Sequence, residues 1–425
     1  MTGLPARVDV VVIGAGLAGL AAAVALHRAR LNVLVVEASD DVGGRVRTDS
    51  VDGLQLDRGF QLLNPSYPEL HRLARLGVLD LGALDLRPFE PGVVVAQGGR
   101  RTVLADPRRL PQHLRSTLTG PGSVREKLAL ARWAVDVVRA DPAELLAADD
   151  EPLSAALAQR SITGRLRTSV VDPFLAGVLA DDSGQTSRRF VELLVRAFVR
   201  GTPALPAAGM AALPRQLAAG LAPDALALGV RAVSVTGTSV ATDAGIVTTS
   251  ATVVATDPRT ATRLAHLPTV AMRGLTTYYH LAETAPSSAA MLHLDGGRRG
   301  PLVNSAVVSN VAPAYAGGRG ALVATTVLGA REDPAVERAV RAQLRLVYGA
   351  DPRPWELVAT YAIPDALPAM LPPLDVRQPV DLRDGLFVAG DHRDTASIQG
   401  ALVSGRRAAT AVLAHLGVPE DVHAR

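Results

Sequence analysis

Residues 8 to 37 leave this chain few choices of how to begin. Val8 to Ile13 is a run of β-branched residues broken only by Asp9, which reads as a strand buried within a parallel sheet. Gly14-Ala15-Gly16-Leu17-Ala18-Gly19 follows at once. Leu20 to Ala29 then reads as an Ala-rich helix, Leu31 to Val36 as a second apolar strand, and Glu37 stands at its end. Strand, glycine turn, helix, strand and acid together make the unit that holds a dinucleotide. Gly14 permits the tight turn, Gly16 lets the backbone approach a pyrophosphate, and Gly19 lets the helix pack close to the strand. The helix N-terminus offers unpaired N–H groups and the positive end of its dipole to the phosphates. Glu37, with Ala38 beside it, lies 18 residues beyond Gly19. There it would accept hydrogen bonds from ribose hydroxyls and repel the 2′-phosphate of NADP.

Composition narrows the chemistry. The 425 residues include no cysteine, which removes disulfides, iron–sulfur clusters and redox-active thiol pairs, so electron chemistry needs an organic cofactor. A chain without disulfides fits the cytoplasm. Basic and acidic residues nearly balance, 44 against 41, and basic runs stop at short pairs such as Arg298-Arg299 and Arg406-Arg407. No nucleic-acid partner is expected from such a distribution, and no metal site. The apolar stretch Val8 to Leu26 has the length of a membrane span, but Gly14, Gly16 and Gly19 break it into strand, turn and helix. A peripheral contact with a membrane stays open, as does the oligomeric state.

The next segment is more specific. Asp41-Val42-Gly43-Gly44-Arg45-Val46 resembles the superfamily of flavin amine oxidases, phytoene desaturases and protoporphyrinogen oxidases. The resemblance implies FAD, with Gly43, Gly44 and Arg45 wrapped around its diphosphate. Gly-Gly allows close backbone approach and Arg offers a bidentate fork for phosphate. Asp57-Arg58-Gly59-Phe60-Gln61 looks like the superfamily segment beside the flavin ring, with Gly59, Phe60 and Gln61 at the cofactor. Val230 stands where a valine touches adenine, and Ala255-Thr256-Asp257-Pro258 resembles the end of the adjoining strand. Tyr361 to Pro368 resembles a Pro-containing segment of the desaturase-like relatives. Gly385 to Asp391 is a short apolar strand ending in Gly390 and Asp391, the acid implied to hold the ribityl chain. Ser397, Ile398 and Gln399 open a helix whose N-terminus would face the flavin and stabilise its reduced form.

The implied fold is α/β: a discontinuous Rossmann-like FAD-binding domain with an α+β substrate domain of sheet floor and inserted helices. The FAD domain takes residues 1–85, 210–270 and 380–425. The substrate domain takes 86–209, a helical insertion, and 271–379, the sheet floor. Arg125 to Arg139 and Phe190 to Val199 show helical spacing in the insertion. Thr276 to Leu281, Val303 to Ser309 and Ala321 to Leu328 read as floor strands.

Only one glycine turn of this kind follows a strand, so no second site for NAD(P)H is expected. The resemblance then implies hydride transfer from substrate to flavin N5 and reoxidation by oxygen or a quinone. Many amine-oxidising relatives carry a lysine near flavin N5 and aromatic residues beside the amine. Here Lys127 is the only lysine, and Asp391 to Ser397 holds no ring except His392. Both departures favour a bulky apolar substrate, isoprenoid-like or porphyrinogen-like. Amine oxidation, a redox-neutral FAD-dependent isomerisation and a carrier that does not use its flavin remain the alternatives. His392 is either a flavin-facing residue or a solvent-facing loop residue. Tyr278 and Tyr279, followed by His280, alternate on a strand, so one tyrosine is expected to line the pocket. Arg58 is an anion anchor or a surface charge. No catalytic residue is named, because hydride removal from an alkane or alkene requires no protein base.

Overall fold

The structure is a computed structural model that describes residues 3–419, so the outermost residues of the first and last segments named above lie outside it. Five parallel strands form one sheet in the order Leu386–Val388, Ala251–Val254, Val10–Ile13, Val33–Glu37, Leu226–Leu228. Val10–Ile13 is buried throughout, as its unbroken apolar run requires. The helix Leu17–Arg28 packs on this sheet and against the helix Ile398–Leu416. Two glycines make that packing possible. A Cβ on Gly19 would overlap the Gly14 carbonyl, and one on Gly405 would overlap the Ala18 carbonyl. Leu226–Leu228, the edge strand, was not expected from sequence. It is three residues long and borrows its register from Val35, Val36 and Glu37. A small antiparallel meander, Ala232–Val235, Ser239–Thr242 and Gly245–Thr248, follows it.

A second sheet has seven strands, in the order Glu356–Pro368, Met272–Ala282, Ala321–Leu328, Leu302–Val307, Leu292–Asp295, Gly92–Gln97, Arg100–Ala105. This corrects the expected helical character of 86–209. The hairpin 92–105 belongs to the sheet, and only the part from Pro111 to Arg200 is mainly helical. The run Val93-Val94-Val95 is short and arginines crowd the turn, so the sequence pattern does not display this hairpin. The expected strand Val303 to Ser309 ends at Val307 and gives way to the turn of helix Val308–Val311. The Pro-containing segment 361–368 lies within the edge strand Glu356–Pro368, where a missing N–H is tolerated.

The expectation that one of two tyrosines lines a pocket is also overturned. Tyr279 is 1% and Tyr278 2% exposed. Tyr279 donates to the Asp57 backbone carbonyl at 3.0 Å, and Tyr278 to the Arg331 carbonyl at 2.7 Å. Alternation does send them to opposite faces, but both faces are covered. Helix Pro334–Tyr348 packs over one, and the hairpin Thr48–Asp57 lies against the other.

Asp57 ties these parts together. Its carboxylate accepts from the Thr48 hydroxyl at 2.5 Å, the Met210 N–H at 2.9 Å and the Tyr315 hydroxyl at 2.7 Å. Burial outweighs these three donors and pushes its pKa up to about 6. A carboxyl that holds its proton more tightly when folded stabilises the fold at low pH. It loses that contribution as pH rises from about 4 to about 6. Over this window the contribution is about 3 kcal/mol. Asp57→Asn is therefore expected to flatten the pH dependence of the urea midpoint between these values. Equal slopes in parent and variant would show that the carboxyl titrates normally.

Candidate functional site

A cavity of about 460 Å³ runs from the carboxyl edge of the parallel sheet to the seven-stranded sheet. Its first half is built by the glycine turn. Gly14, Gly16, Leu17 and Ala18 line it, joined by Glu37, Ala38 and Val230. Gly16 is the open point of the cradle, because a Cβ built there meets nothing within 4 Å. Gly43 bridges to Gly16, and Gly44 comes so close that its Cβ would stand 3.3 Å from the Gly16 Cα. The Glu37 carboxylate accepts from Ala15 N at 2.7 Å and from Ser39 N and Oγ at 2.9 and 2.6 Å. These bonds fix the acid at the mouth of the turn. Val230 lies ahead of the meander rather than in a strand, and its N–H donates to the Glu37 carbonyl at 2.8 Å.

The second approach comes from the C-terminal strand. Gly390, Asp391, Ser397 and Ile398 line the cavity beside Gly43, Gly44, Arg45, Gly59, Phe60 and Gln61. Arg45 donates to Asp391 at 2.6 Å and to the Ala366 carbonyl at 2.8 Å, across 346 and 321 residues of sequence. Burial disfavours its charge, but Asp391 outweighs that and raises its pKa. Arg45 therefore stays a cation next to the phosphate cradle. Gln61 Nε2 donates to the Arg45 carbonyl at 2.5 Å and the Arg58 carbonyl at 3.0 Å. Ser397 caps its helix by accepting from Gly400 N at 3.0 Å.

Three expected residues do not line the cavity. Ala15 contributes its backbone N–H to Glu37. Gly19 serves the close packing described above. Gln399 turns away on the helix, and its Oε1 accepts from Glu69 N at 3.0 Å. On a helix a side chain two positions past the cap faces a different side from the cap, so adjacency to Ser397 misled the sequence reading. His392 is not a solvent-facing residue. It is 4% exposed, packs behind Gly390 and finds no partner for either ring nitrogen among the described residues. Burial pushes its pKa down to about 4 and keeps it neutral. Arg58 lines the cavity but is forked to Asp49 at 2.9 to 3.1 Å.

The other half of the cavity is walled by Phe60, Leu62, Leu194, Phe198, Leu292 and Ile363, with Asn64, Tyr67, Gly177 and Asn304 among them. Sequence reasoning missed nearly all of these. They come from scattered elements and share no motif; the only local signal was the aromatic scarcity that makes Phe60 and Phe198 conspicuous. Burial pushes the Tyr67 phenol up to about 12, so it stays neutral.

An open glycine cradle at a helix N-terminus, an acid for ribose and an arginine at the phosphates fit a dinucleotide. Comparison with known proteins agrees. The family described as flavin containing amine oxidoreductase matches residues 17–413. A putative flavin-containing monoamine oxidase of Mycobacterium tuberculosis is 47% identical over 79 residues, 18% of this chain and 17% of that protein. The chloroplastic protoporphyrinogen oxidase of Nicotiana tabacum is 28% identical over 187 residues, 44% of this chain and 32% of that protein. The matched stretches thus span less than a third of either relative. The crystal structure of a putative protoporphyrinogen oxidase from Exiguobacterium shares the fold, with a TM-score of 0.71 at 17% identity, covering 98% of this chain and all of that one.

Gly16→Val and Gln399→Ala separate the cradle from its surroundings. The valine side chain would fill the space left for the pyrophosphate, so Gly16→Val is expected to purify without flavin. Gln399→Ala is expected to keep its flavin and lose about 1 kcal/mol of stability, the worth of one hydrogen bond. Flavin content by absorbance and thermal unfolding check both; normal flavin in Gly16→Val would refute the cradle.

Proposed function

Because the chain belongs to the flavin containing amine oxidoreductase family and is an FAD-dependent oxidoreductase, we propose that it oxidises a bulky apolar substrate, isoprenoid-like or porphyrinogen-like. The observation that carries this is the apolar wall of Phe60, Leu62, Leu194, Phe198, Leu292 and Ile363. FAD, when bound, would supply the hydride acceptor, with oxygen or a quinone as the final oxidant. The chain would hold it through the Gly14–Gly19 turn, Glu37, Gly43, Gly44, Arg45 and Asp391. Residues 1–85, 210–270 and 380–425 would then act as one cofactor domain, interrupted by the substrate domain.

Similarity to a monoamine oxidase keeps an amine substrate as the second reading. Against it, Lys127 sits on the helix Val124–Arg139 and donates to the Leu118 and Gly120 carbonyls at 2.7 and 2.8 Å, away from the cavity. Anaerobic absorbance titration of the flavin-loaded protein against isoprenoids, porphyrinogens and amines decides. Bleaching by an isoprenoid or porphyrinogen is the expected outcome. Bleaching by amines alone would overturn it, and flavin that no member bleaches would favour the isomerase reading.

We also propose a peripheral contact with an anionic lipid surface. No helix among the described residues is long and apolar enough to cross a membrane. Leu114, Leu118, Val124, Leu128 and Val135, however, are 40 to 65% exposed on two successive helices, Leu114–Thr119 and Val124–Arg139. On the second helix Val124, Leu128 and Val135 share one stripe, while Trp133 and Val137 face the core. Arg115, Arg125 and Arg132 are exposed among them. An apolar stripe with a basic rim suits negatively charged headgroups. The protein is expected to sediment with phosphatidylglycerol vesicles, less with phosphatidylcholine, and the Leu118→Ser/Leu128→Ser double variant to stay in the supernatant. A parent that ignores both vesicles would reject the contact.

A further inference from the structure

Two buried amides in the substrate half of the cavity each leave one polar atom without a partner among the described residues. Asn304 is 2% exposed, lines the cavity and has an Oδ1 that accepts no hydrogen bond. Asn64 is equally buried and also lines it. Its Oδ1 accepts from Ser66 N at 3.0 Å and Ser66 Oγ at 2.8 Å, which fixes the amide and leaves Nδ2 as a donor with no acceptor. Buried polar groups in folded proteins are almost always satisfied, by the chain, by water or by a ligand. Leaving one unpaired destabilises the fold.

Asn304 reaches the cavity through an irregularity in its strand. In Leu302–Val307, Leu302 and Val307 belong to the cluster beneath the helix Pro334–Tyr348, and the Ser305 hydroxyl meets Tyr348 on that same face. Ala306 belongs to the opposite cluster. Strict alternation from Leu302 would put residue 304 on the helix face with it. Instead the register slips: Leu302 pairs with Val327, but Asn304 pairs with Thr326. The extra residue makes a bulge, and bulges re-aim side chains. Asn304 is thereby turned to the cavity side with Ala306. Gly177 makes the room, because a Cβ there would collide with Asn304 Nδ2. A glycine inside the helix Asp172–Leu179 is unfavourable for the helix itself. A strand bulge and a helix glycine are thus both spent on placing one amide.

The half of the cavity that Asn304 lines is walled by Phe60, Leu62, Leu194, Phe198, Leu292 and Ile363. The cations that touch the cavity wall nearby are committed, Arg58 to Asp49 and Arg45 to Asp391. We infer that Asn304 is the recognition point for one uncharged hydrogen-bonding group, a hydroxyl or a carbonyl, on an otherwise apolar substrate, with Asn64 a further donor on the same half of the cavity. An amide carries a donor and an acceptor and so pairs with either group. It offers no counter-charge to an ammonium or a carboxylate, whose desolvation here would go uncompensated. The inference rests on the apolar-substrate reading above and narrows it.

The test uses the flavin-loaded protein and five isoprenoids of one skeleton: farnesene, farnesol, farnesal, farnesoate and farnesylamine. Each is titrated anaerobically, and its dissociation constant is read from the perturbation of the flavin spectrum. Farnesol or farnesal is expected to bind at least about tenfold tighter than farnesene and than either charged member, the effect of one good buried hydrogen bond. Asn304→Leu, of similar volume, is expected to erase the preference over farnesene while leaving farnesene binding little changed. Asn304→Asp is expected to move the preference to farnesylamine, and it reports on the site if the leucine variant fails to fold. An unchanged preference in Asn304→Leu, or tightest binding of a charged member by the parent, overturns the inference. Failure of all five to bind, farnesene included, overturns the isoprenoid-like reading and the inference with it.

Discussion

One row of hydrogen bonds just past the ends of the parallel strands holds the cofactor half of the site in register. Gly14 N donates to the Val36 carbonyl at 2.8 Å, Ala255 N to the Ile13 carbonyl at 2.8 Å, and Ala389 N to the Val254 carbonyl at 2.9 Å. Each bond ties the first residue of a loop to a carbonyl at the end of the neighbouring strand, the last one for Ile13 and Val254 and the last but one for Val36. The three loops that begin there supply Gly16, Asp257 and Asp391 to one cavity. They come from the beginning, middle and end of the chain. Because the sheet is parallel, all its carboxyl ends share an edge, and ligands of such sheets gather at that edge. Losing the register by one residue would move all three loops at once.

The segment 57–61 carries this order into the substrate half. Its first residue is fixed by the three donors to the Asp57 carboxylate and by Tyr279 on its carbonyl. Its middle is fixed by Thr277 Oγ1, which accepts from Phe60 N at 2.9 Å. Its last residue reaches back to Arg45. A stretch of five residues thus touches the seven-stranded sheet, the hairpin before it and the phosphate cradle. The three donors offset part of the cost of burying Asp57.

How much of this the sequence disclosed depends on how local each feature is. The Gly14–Gly19 turn and Glu37 are constrained by neighbours a few residues away, so spacing alone displays them. Gly43 to Arg45 and Gly390-Asp391 are short motifs that a resemblance can identify, although the pairing of Arg45 with Asp391 bridges 346 residues and leaves no local trace. Gln399 shows the limit of adjacency, since helix geometry turned it from the site to Glu69. Tyr278 and Tyr279 were read by correct alternation, but alternation does not say which faces are covered. Asn304 was invisible, because its orientation depends on a bulge set by pairing with Thr326 rather than by its own neighbours.

The two halves of the cavity differ in how they handle charge, and this difference explains their separate construction. At the cradle, donors are left for an anionic ligand: a helix N-terminus and backbone N–H groups, with the Arg45 cation beside them held by Asp391. Toward the seven-stranded sheet, Arg58 on the wall is paired with Asp49, and Tyr67 stays a neutral phenol. What remains for recognition there is shape and a small number of amides. The helix Arg188–Arg200 extends that apolar half outward. It presents Leu194 and Phe198 to the cavity and packs against the helix that carries the exposed Val124, Leu128 and Val135.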